Sequence, residues 1–384
     1  MLYVVKAGRQ PESLIAEISA KPFSKVLDEN RGYLLVESEK ELDFNKYGSC
    51  PIAYKVLKSS RDYELSELAD EFVELGFDKH RFFVDSNFLT PKQTRMFAIS
   101  LKKSLKQKLD GKVSFFDFKN TASVFNESRG SSKTGGVGVF RLNREYFLVE
   151  FDFVQNLDSY TIRDFEKPFR DAKLGMLPPK LAQTMINMIP KDNIETIYDP
   201  FCGTGTVCFE AMLSGYKAWG SDLLDSNIEG CAKNAEFFES KIGLSSKLVN
   251  FFTADATKLQ KLPDNFAIVS EGYLGKPKKG NEEKSELAMD YKSVVAIYND
   301  FFHNLHKIGF NKKFFVVVSI PEFKYLASSR NPEKIFANLR NYGYIFRTVV
   351  PSNRFGVDSS RVLHYSREDQ FVSRNIICLE HIPG

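Results

Sequence analysis

Along the first half of the chain, short apolar runs alternate with amphipathic stretches. "MLYVVKA" and "GYLLVES" read as strands, and "PESLIAEIS" between them as a helix. "ELSELADEFVELGF" has the spacing of an amphipathic helix, and "RFFVDSNF" is a strand that ends near Pro91. The stretch "PKQTRMFAISLKKSLKQKLDG" is a well-marked helix, with Pro91 suited to its start and Gly111 to its stop. Phe97, Leu101, Leu105 and Leu109 recur at every fourth position and form its buried stripe. The strands "KVSFFDF" and "EYFLVEFDF" follow, joined through "NESRGSSKTGGVG", a Gly/Ser-rich basic loop. Residues 156–180 form a mostly polar connection that opens the helix "PKLAQTMINMI".

After residue 193 the rhythm is strand, loop, helix: "IETIYD", a glycine-rich turn, "VCFEAMLSG", then "KAWGSD". Further strands fall at "LVNFFTAD", "FAIVSEG" and "KFFVVVSI". Such alternation predicts an α/β fold with a parallel sheet covered on both faces. The charged stretch "KPKKGNEEKSELA" reads as a mobile loop, and no internal repeat is visible.

With 384 residues, the chain is long enough for two or three domains. Its hydrophobic and charged fractions, 43% and 27%, are those of a soluble globular protein. No apolar run reaches the roughly 20 residues of a membrane span, and the first residues lack the apolar core of a signal peptide. The five cysteines include no C-x-x-C pair, so neither a zinc site nor a disulfide framework is expected. A reduced cytoplasmic compartment and a monomer are the default expectations. The net charge of +4 says little about partners; its local distribution says more. Lys92, Arg95, Lys102, Lys103, Lys106 and Lys108 cover one helix with no acid before Asp110, which favours contact with phosphates over a merely solvated face. Arg129 and Lys133 in the basic loop fit RNA contact and simple solubility equally well. The five histidines have no visible metal-ligand or triad partners.

"YDPFCGTGTVCFEA" is the strongest local signal. Gly203 and Gly205 allow a tight turn and close backbone approach, and the helix N-terminus that follows favours negative charge. The next strand ends in Asp222, where a carboxylate can accept from both ribose hydroxyls of an adenosine cofactor. Loop and acid fit NAD and S-adenosylmethionine alike, but the dinucleotide fingerprint wants a small residue where Cys208 stands. "FFTADATKL" ends a third strand at Asp255-Ala256, which taken alone is more often a helix cap than a ligand. As a third strand end on the sheet edge where such folds bind ligands, it joins the candidate adenine site.

In order, "RDAKLGMLPPKLAQTMIN" (170–187), "DPFCGTGT" (199–206), "SD" (221–222), "ADA" (254–256) and the strand into "SEGY" resemble the THUMP-domain-containing tRNA guanine-N2-methyltransferases of the archaeal G10 type. The likeness covers the C-terminal two-thirds by motif and the remainder by element order and basic character. It implies a Rossmann-like class I methyltransferase sheet using S-adenosylmethionine, behind an N-terminal α+β THUMP-like region that binds tRNA. The implied division is 1–155 for a ferredoxin-like plus THUMP-like RNA-binding region, 156–192 for a linker and first methyltransferase helix, and 193–384 for the methyltransferase domain. Leu177 and Pro178 would line the methionine end of the cofactor. Asp199, Phe201, Gly203 and Gly205 would form the main cofactor loop, Asp222 would hold the ribose, and Asp255 with Ala256 the adenine. The tail "VLHYSREDQFVSRNIICLE" resembles the hairpin that closes this sheet.

Where such enzymes carry Asp/Asn-Pro-Pro-Tyr/Phe, this chain has Glu271-Gly272-Tyr273-Leu274. An exocyclic amine is a poor nucleophile because its lone pair is delocalised into the ring. A side-chain oxygen and a backbone carbonyl can orient it, and an aromatic ring can stack on the extruded base. Glu271 would supply the oxygen, Gly272 the carbonyl and Tyr273 the ring; in an ungapped alignment Leu274 takes the aromatic position. The departure leaves two alternatives to a tRNA enzyme: an adenine N6 or cytosine N4 methyltransferase acting on DNA, and an inactive RNA-binding homologue.

Overall fold

The computed structural model describes residues 1–170, 176–190, 193–278, 280–351, 360–368 and 370–383. Of the stretch 170–187, residues 171–175 lie outside the described residues, as does Lys279 of the charged stretch. Its strands form two eight-stranded sheets. The first sheet is built from β1 (Leu2–Lys6), β2 (Ser24–Asn30), β3 (Tyr33–Ser38), β4 (Ile52–Ser60), β5 (Arg81–Asp85), β6 (Ser114–Phe115), β7 (Thr134–Leu142) and β8 (Glu145–Val154). Its order is β2-β3-β1-β4-β8-β7-β5-β6, antiparallel except where β5 pairs β7 and β6. The period-2 alternation of side chains lets a strand serve a core on each face of the sheet. Tyr3 and Val5 of β1 join one core and Val4 the other.

Helix α1 (Pro11–Ser19) buries Leu14, Ile15 and Ile18 on the first face. Helices α2 (Leu68–Glu74) and α3 (Pro91–Lys108) pack together over β5. On α3 the expected stripe is core: Phe97, Leu101 and Leu105 are buried, and Leu109 packs against them just beyond the last turn. A capping box between Thr90 and Gln93 fixes its start.

Several local expectations need correction. "ELSELADEFVELGF" is helical only over α2, and "KVSFFDF" gives the short β6 alone. The basic loop "NESRGSSKTGGVG" opens on the last residues of a helix, α4 (Thr121–Ser128), and ends in the start of β7. The glycines belong to the strand because the aromatic core leaves no room there: a β-carbon on Gly136 would lie 2.4 Å from the Phe83 ring. The polar connection 156–180 is also structured. After α5 (Leu157–Thr161) the chain makes a π-helical turn, and two of the segment's cations turn inward. Arg163 pairs with Glu210 and both are buried, while the buried Lys167 donates to Thr206 Oγ1 at 2.9 Å.

The second sheet comprises β9 (Thr196–Asp199), β10 (Lys217–Asp222), β11 (Val249–Thr253), β12 (Phe266–Ser270), β13 (Phe314–Phe323), β14 (Tyr344–Phe346), β15 (Val362–Tyr365) and β16 (Val372–His381). Its path is β11-β10-β9-β12-β13-β16-β14, with β15 paired to β16. The first five strands on that path are parallel, whereas β16 runs antiparallel to its neighbours β13, β14 and β15. Helices α6 (Pro179–Asn187), α7 (Thr206–Leu213), α8 (Asp225–Ile242) and α9 (Lys284–Ile308) cover it. Both faces are buried, so β12 and β13 read as nearly unbroken apolar runs. Strand order reverses direction between β9 and β12, which opens a crevice at their carboxyl ends.

The two sheets share a core. Leu14, Ile15 and Ile18 of α1 belong to the same apolar cluster as Leu181, Met185 and Ile189 around α6. At its centre lies Glu17, fully buried. Its carboxylate accepts from the backbone N–H of Gly48 (3.0 Å) and Ser49 (2.9 Å), Thr184 Oγ1 (2.6 Å) and Asn187 Nδ2 (2.9 Å). Burial raises its pKa above the ordinary carboxylate value, and the hydrogen bonds from Thr184, Ser49 and Asn187 oppose the rise.

Replacing Glu17 by Ala strands those buried donors, so Glu17→Ala is expected to cost about 3–5 kcal/mol. Glu17→Gln keeps one acceptor and should lose less. Chemical denaturation checks both, and a wild-type midpoint in Glu17→Ala would show that the network adds no stability.

Candidate active site

The carboxyl ends of β9, β10, β11 and β12 surround one cavity of about 680 Å³. Its walls include Leu177, Asp199, Phe201, Gly203, Asp222, Asp255, Ala256, Glu271, Gly272 and Tyr273. Ten of the positions read from sequence thus meet in one place. Pro178 does not line the cavity; it stands at the N-cap of α6. Gly205 lies beneath it, at φ +81° where α7 begins, and an added β-carbon would meet Phe209 and Cys231. Its requirement for glycine is one of turn and packing.

Asp199 ends β9 fully buried. It accepts from Ser270 Oγ at 2.6 Å and from the Phe201 N–H at 3.1 Å. Burial, with smaller contributions from the charges of Asp222 and Glu271, raises its pKa to about 7. Ser270 in turn accepts from the Gly272 N–H at 2.9 Å, so one hydroxyl ties the end of β9 to the turn after β12.

Asp222 carries more of the site than its sequence position shows. Its Oδ2 accepts from the Gly203 N–H at 3.0 Å, and its Oδ1 from the Leu224 N–H and Asn227 Nδ2, each at 3.0 Å. A carboxylate has about four acceptor positions, so roughly one remains for a ligand. The residue shapes the glycine loop as well as facing the cavity. Asp255 has a comparable second duty: its Oδ1 accepts from the Thr257 N–H (2.9 Å) and Oγ1 (2.7 Å), and Lys258 lies 3.4 Å from Oδ2. Those hydrogen bonds and that ion pair hold it below the usual carboxylate range.

Glu271 leaves β12 into the cavity wall and meets Arg374 of β16. Arg374 Nε donates to Oε1 at 2.7 Å and Nη2 lies 2.7 Å from the same oxygen. Burial raises the pKa of Glu271 above the ordinary carboxylate value, and the guanidinium opposes the rise. Gly272 has φ +69°, and a β-carbon there would sit 2.0 Å from Tyr298 Oη. Glycine is required by sterics, with Tyr298 itself fully buried and donating to the Ser319 carbonyl at 2.7 Å. Tyr273 is half-buried, and Leu274 lines the cavity beside it. The stretch expected to be a mobile loop is held at two points: Lys278 forms a buried ion pair with Asp290 of α9, and the last residues of the stretch are helical.

The basic residues lie elsewhere. Lys92, Arg95, Lys103 and Lys106 are exposed on α3, and Lys102 is half-buried with its ammonium 6.0 Å from the Phe115 ring centroid. Arg129 is paired with Asp158 at 2.7 Å, and Lys133 is exposed before β7. None of these lines the cavity. Arg374, Tyr298, Asn227 and Asp300 escaped sequence reading. Arg374 stands 103 residues after its partner, with no local signal to connect them. Among the described residues no group of three or more His, Cys, Asp or Glu is placed to hold a metal ion.

Residues 168–289 match the family described as UPF0020, an RMKL-like methyltransferase domain. The chain is 26% identical over 186 residues to the tRNA (guanine(10)-N2)-dimethyltransferase of Pyrococcus abyssi, covering 48% of this chain and 51% of that protein. It is 30% identical over 132 residues to the protein of the same name from Methanothermobacter thermautotrophicus, covering 34% and 35%. The chain thus spans about half the length, or less, of the curated relatives it matches. The crystal structure of TrmN from Thermus thermophilus aligns over 100% of both chains at TM-score 0.52 and 17% identity. The fold is a Rossmann-like class I methyltransferase sheet with an N-terminal α+β region.

The steric account of Gly272 yields a test. Gly272→Ala adds left-handed strain of about 1–2 kcal/mol and forces Tyr298 aside, so the melting temperature should fall by several degrees. Tyr298→Phe removes the atom the new methyl meets first, and the double variant should lose less than the sum of the singles. Additive losses would separate the two residues.

Proposed function

We propose that this chain, whose residues 168–289 carry an RMKL-like methyltransferase domain, methylates the exocyclic N2 of a guanine in tRNA, with S-adenosylmethionine as donor, in the cytoplasm. The observation that carries the reading is that the glycine loop with Asp222 and the Glu271–Tyr273 strand end face the same cavity. The names of the curated relatives give the nucleotide, position 10.

The cavity suits the cofactor. About 680 Å³ is within the range of small-molecule sites, and it combines apolar walls at Leu177 and Phe201 with a few fixed polar groups. When bound, S-adenosylmethionine supplies an electrophilic methyl group on a sulfonium. Asp222 keeps acceptor capacity for a ribose hydroxyl, while Asp255 and Ala256 stand at the adenine end. Leu177 packs the methionine end. Glu271 and the Gly272 carbonyl accept from the target amine and fix its direction, and Tyr273 stacks on the extruded base. None of these groups needs to change bonding partners within the protein, so the arrangement is preorganised for transfer.

We assign residues 1–155 to tRNA binding, 156–192 to a linker with the first helix, and 193–384 to catalysis. Two features support the RNA assignment. Lys92, Arg95, Lys103 and Lys106 of α3 stand in solvent without a paired acid among the described residues. In addition, a cleft of about 1320 Å³ between the N-terminal sheet and the final hairpin is lined by Arg9, Lys180, Lys324 and Arg367, with Glu368 the one acid lining it among the described residues.

The direct test is incubation of the protein with isotopically labelled S-adenosylmethionine and tRNA transcripts, followed by nucleoside mass spectrometry. N2-methylguanosine or its dimethyl form is the expected product. Label in N6-methyladenine or N4-methylcytosine of DNA, or cofactor binding with no transfer to any tRNA, would replace the reading. For the RNA surface, substitution of Lys102, Lys103 and Lys106 by Glu should weaken tRNA binding and reduce its salt slope, with cofactor affinity unchanged. Equal tRNA affinity would make α3 a solvated face.

A further inference from the structure

Several bases carry an exocyclic amine, and the proposed reaction needs a way to tell guanine from the rest. Guanine presents two adjacent donors on its Watson–Crick edge, N1–H and the 2-amino group. Adenine and cytosine each present an amine beside a ring nitrogen that accepts. An ionised carboxylate accepts only, whereas a protonated carboxyl or an amide both accepts and donates. The charge state of the group facing the base therefore decides which edge it fits.

In this chain that group is Glu271, and its surroundings fix its state. Arg374 reaches it from β16 with two nitrogens, both on Oε1. Among the described residues Oε2 has no hydrogen-bond partner, and Glu271 lines the cavity. The guanidinium is itself held: Nη1 donates to Gln370 Oε1 at 3.1 Å, and its side chain is 4% exposed, against 18% for Glu271. We propose that Glu271 and Arg374 form a charge-fixed acceptor that selects guanine at the methylated position. Arg374 keeps the carboxylate ionised and turned, as a positioning residue. Oε2, left free with two acceptor positions, accepts N1–H and the amine of guanine. Against adenine or cytosine, the same oxygen faces a ring-nitrogen lone pair.

The other ionisable groups around Glu271 supply no positive charge. Asp199 on β9 is an acid whose own ionisation is pushed up to about 7 by burial, and Tyr298 on α9 and Tyr273 in the turn are phenols with raised pKa. Lys278 of the following loop is spent on Asp290. Burial favours the neutral form of Glu271, and Arg374 is what opposes it. The pair also accounts for glutamate where aspartate or asparagine would be shorter: the extra methylene lets the carboxylate reach an arginine on β16.

The selectivity rests on the proposed amino-methyl transfer, and its test separates the two. Full-length protein is assayed on tRNA transcripts bearing either guanine or 2-aminopurine at the nucleotide that mass spectrometry shows to be methylated. 2-Aminopurine keeps the amine, but its N1 accepts instead of donating. Wild type should prefer guanine by about 10-fold or more in kcat/KM, the scale of a lost hydrogen bond with an unmatched acceptor. Glu271→Gln should narrow that ratio, because an amide can donate to N1 while accepting from the amine. Arg374→Gln should shift the acid limb of the pH–rate profile to higher pH: with the cation gone the carboxyl protonates more readily, and guanine methylation returns as pH rises. Arg374→Lys should recover part of the neutral-pH rate. Unchanged cofactor affinity by calorimetry confirms that each variant is folded. Equal use of the two bases by wild type, or an unmoved pH profile in Arg374→Gln, would overturn the charge-fixed acceptor. Absence of transfer to any guanine by wild type would instead overturn the proposed function.

Discussion

The hydroxyl of Ser270 joins two strand ends that the sheet topology would otherwise let diverge. At the point where strand order reverses, the helices that follow β9 and β12 leave on opposite faces, and the crevice between them is held only by local bonds. Ser270 donates to Asp199 at the end of β9 and accepts from Gly272 after β12. The glycine loop is then set by Asp222, which takes the Gly203 N–H from the adjoining strand. Each wall of the cavity is thereby measured from its neighbour, and Glu271 emerges at a defined height beside the cofactor loop.

Buried charge recurs through the molecule and ties pieces distant in sequence. Glu17 joins α1 to α6, Arg163 on the connecting segment meets Glu210 on α7, Lys278 meets Asp290, and Arg374 meets Glu271. Such pairs are costly to desolvate and add little net stability compared with apolar packing. Their geometry is specific, however, and breaking one leaves an uncompensated ion. In this chain they sit where segments must adopt one arrangement: between the two sheets, under the glycine loop, and at both sides of the strand-end turn. That distribution fits a role in specifying register at the site more than in deepening the core.

The parallel sheet was largely legible because both its faces are buried, so its strands are apolar runs that no other element matches at that length. The glycine loop and Asp222 were legible because their chemistry is local: two glycines, a helix start and one acid at the next strand end. Local pattern failed where tertiary packing overrode it. The glycines before Val137 looked like a loop because glycine is rare inside strands, yet the aromatic core beside β7 demands the missing side chain. The segment 156–170 looked like a solvated linker because it is charged, yet Arg163 and Lys167 are buried against Glu210, Thr204 and Thr206.

What the sequence determined by itself is therefore the set of periodic elements, the cofactor-type loop and the identity of the strand-end residues 271–273, since each depends on neighbours within a few positions. The tertiary structure alone decided how those residues are used. It showed that Asp222 and Asp255 spend most of their acceptor capacity on neighbouring protein groups, and that Gly272 is glycine because Tyr298 occupies the space of its β-carbon. It also gave Glu271 a cation from the last strand of the sheet. The reason is physical: a carboxylate's charge state and direction depend on which groups surround it in space, and the antiparallel return of β16 beside β13 brings Arg374 to the crevice from 103 residues away.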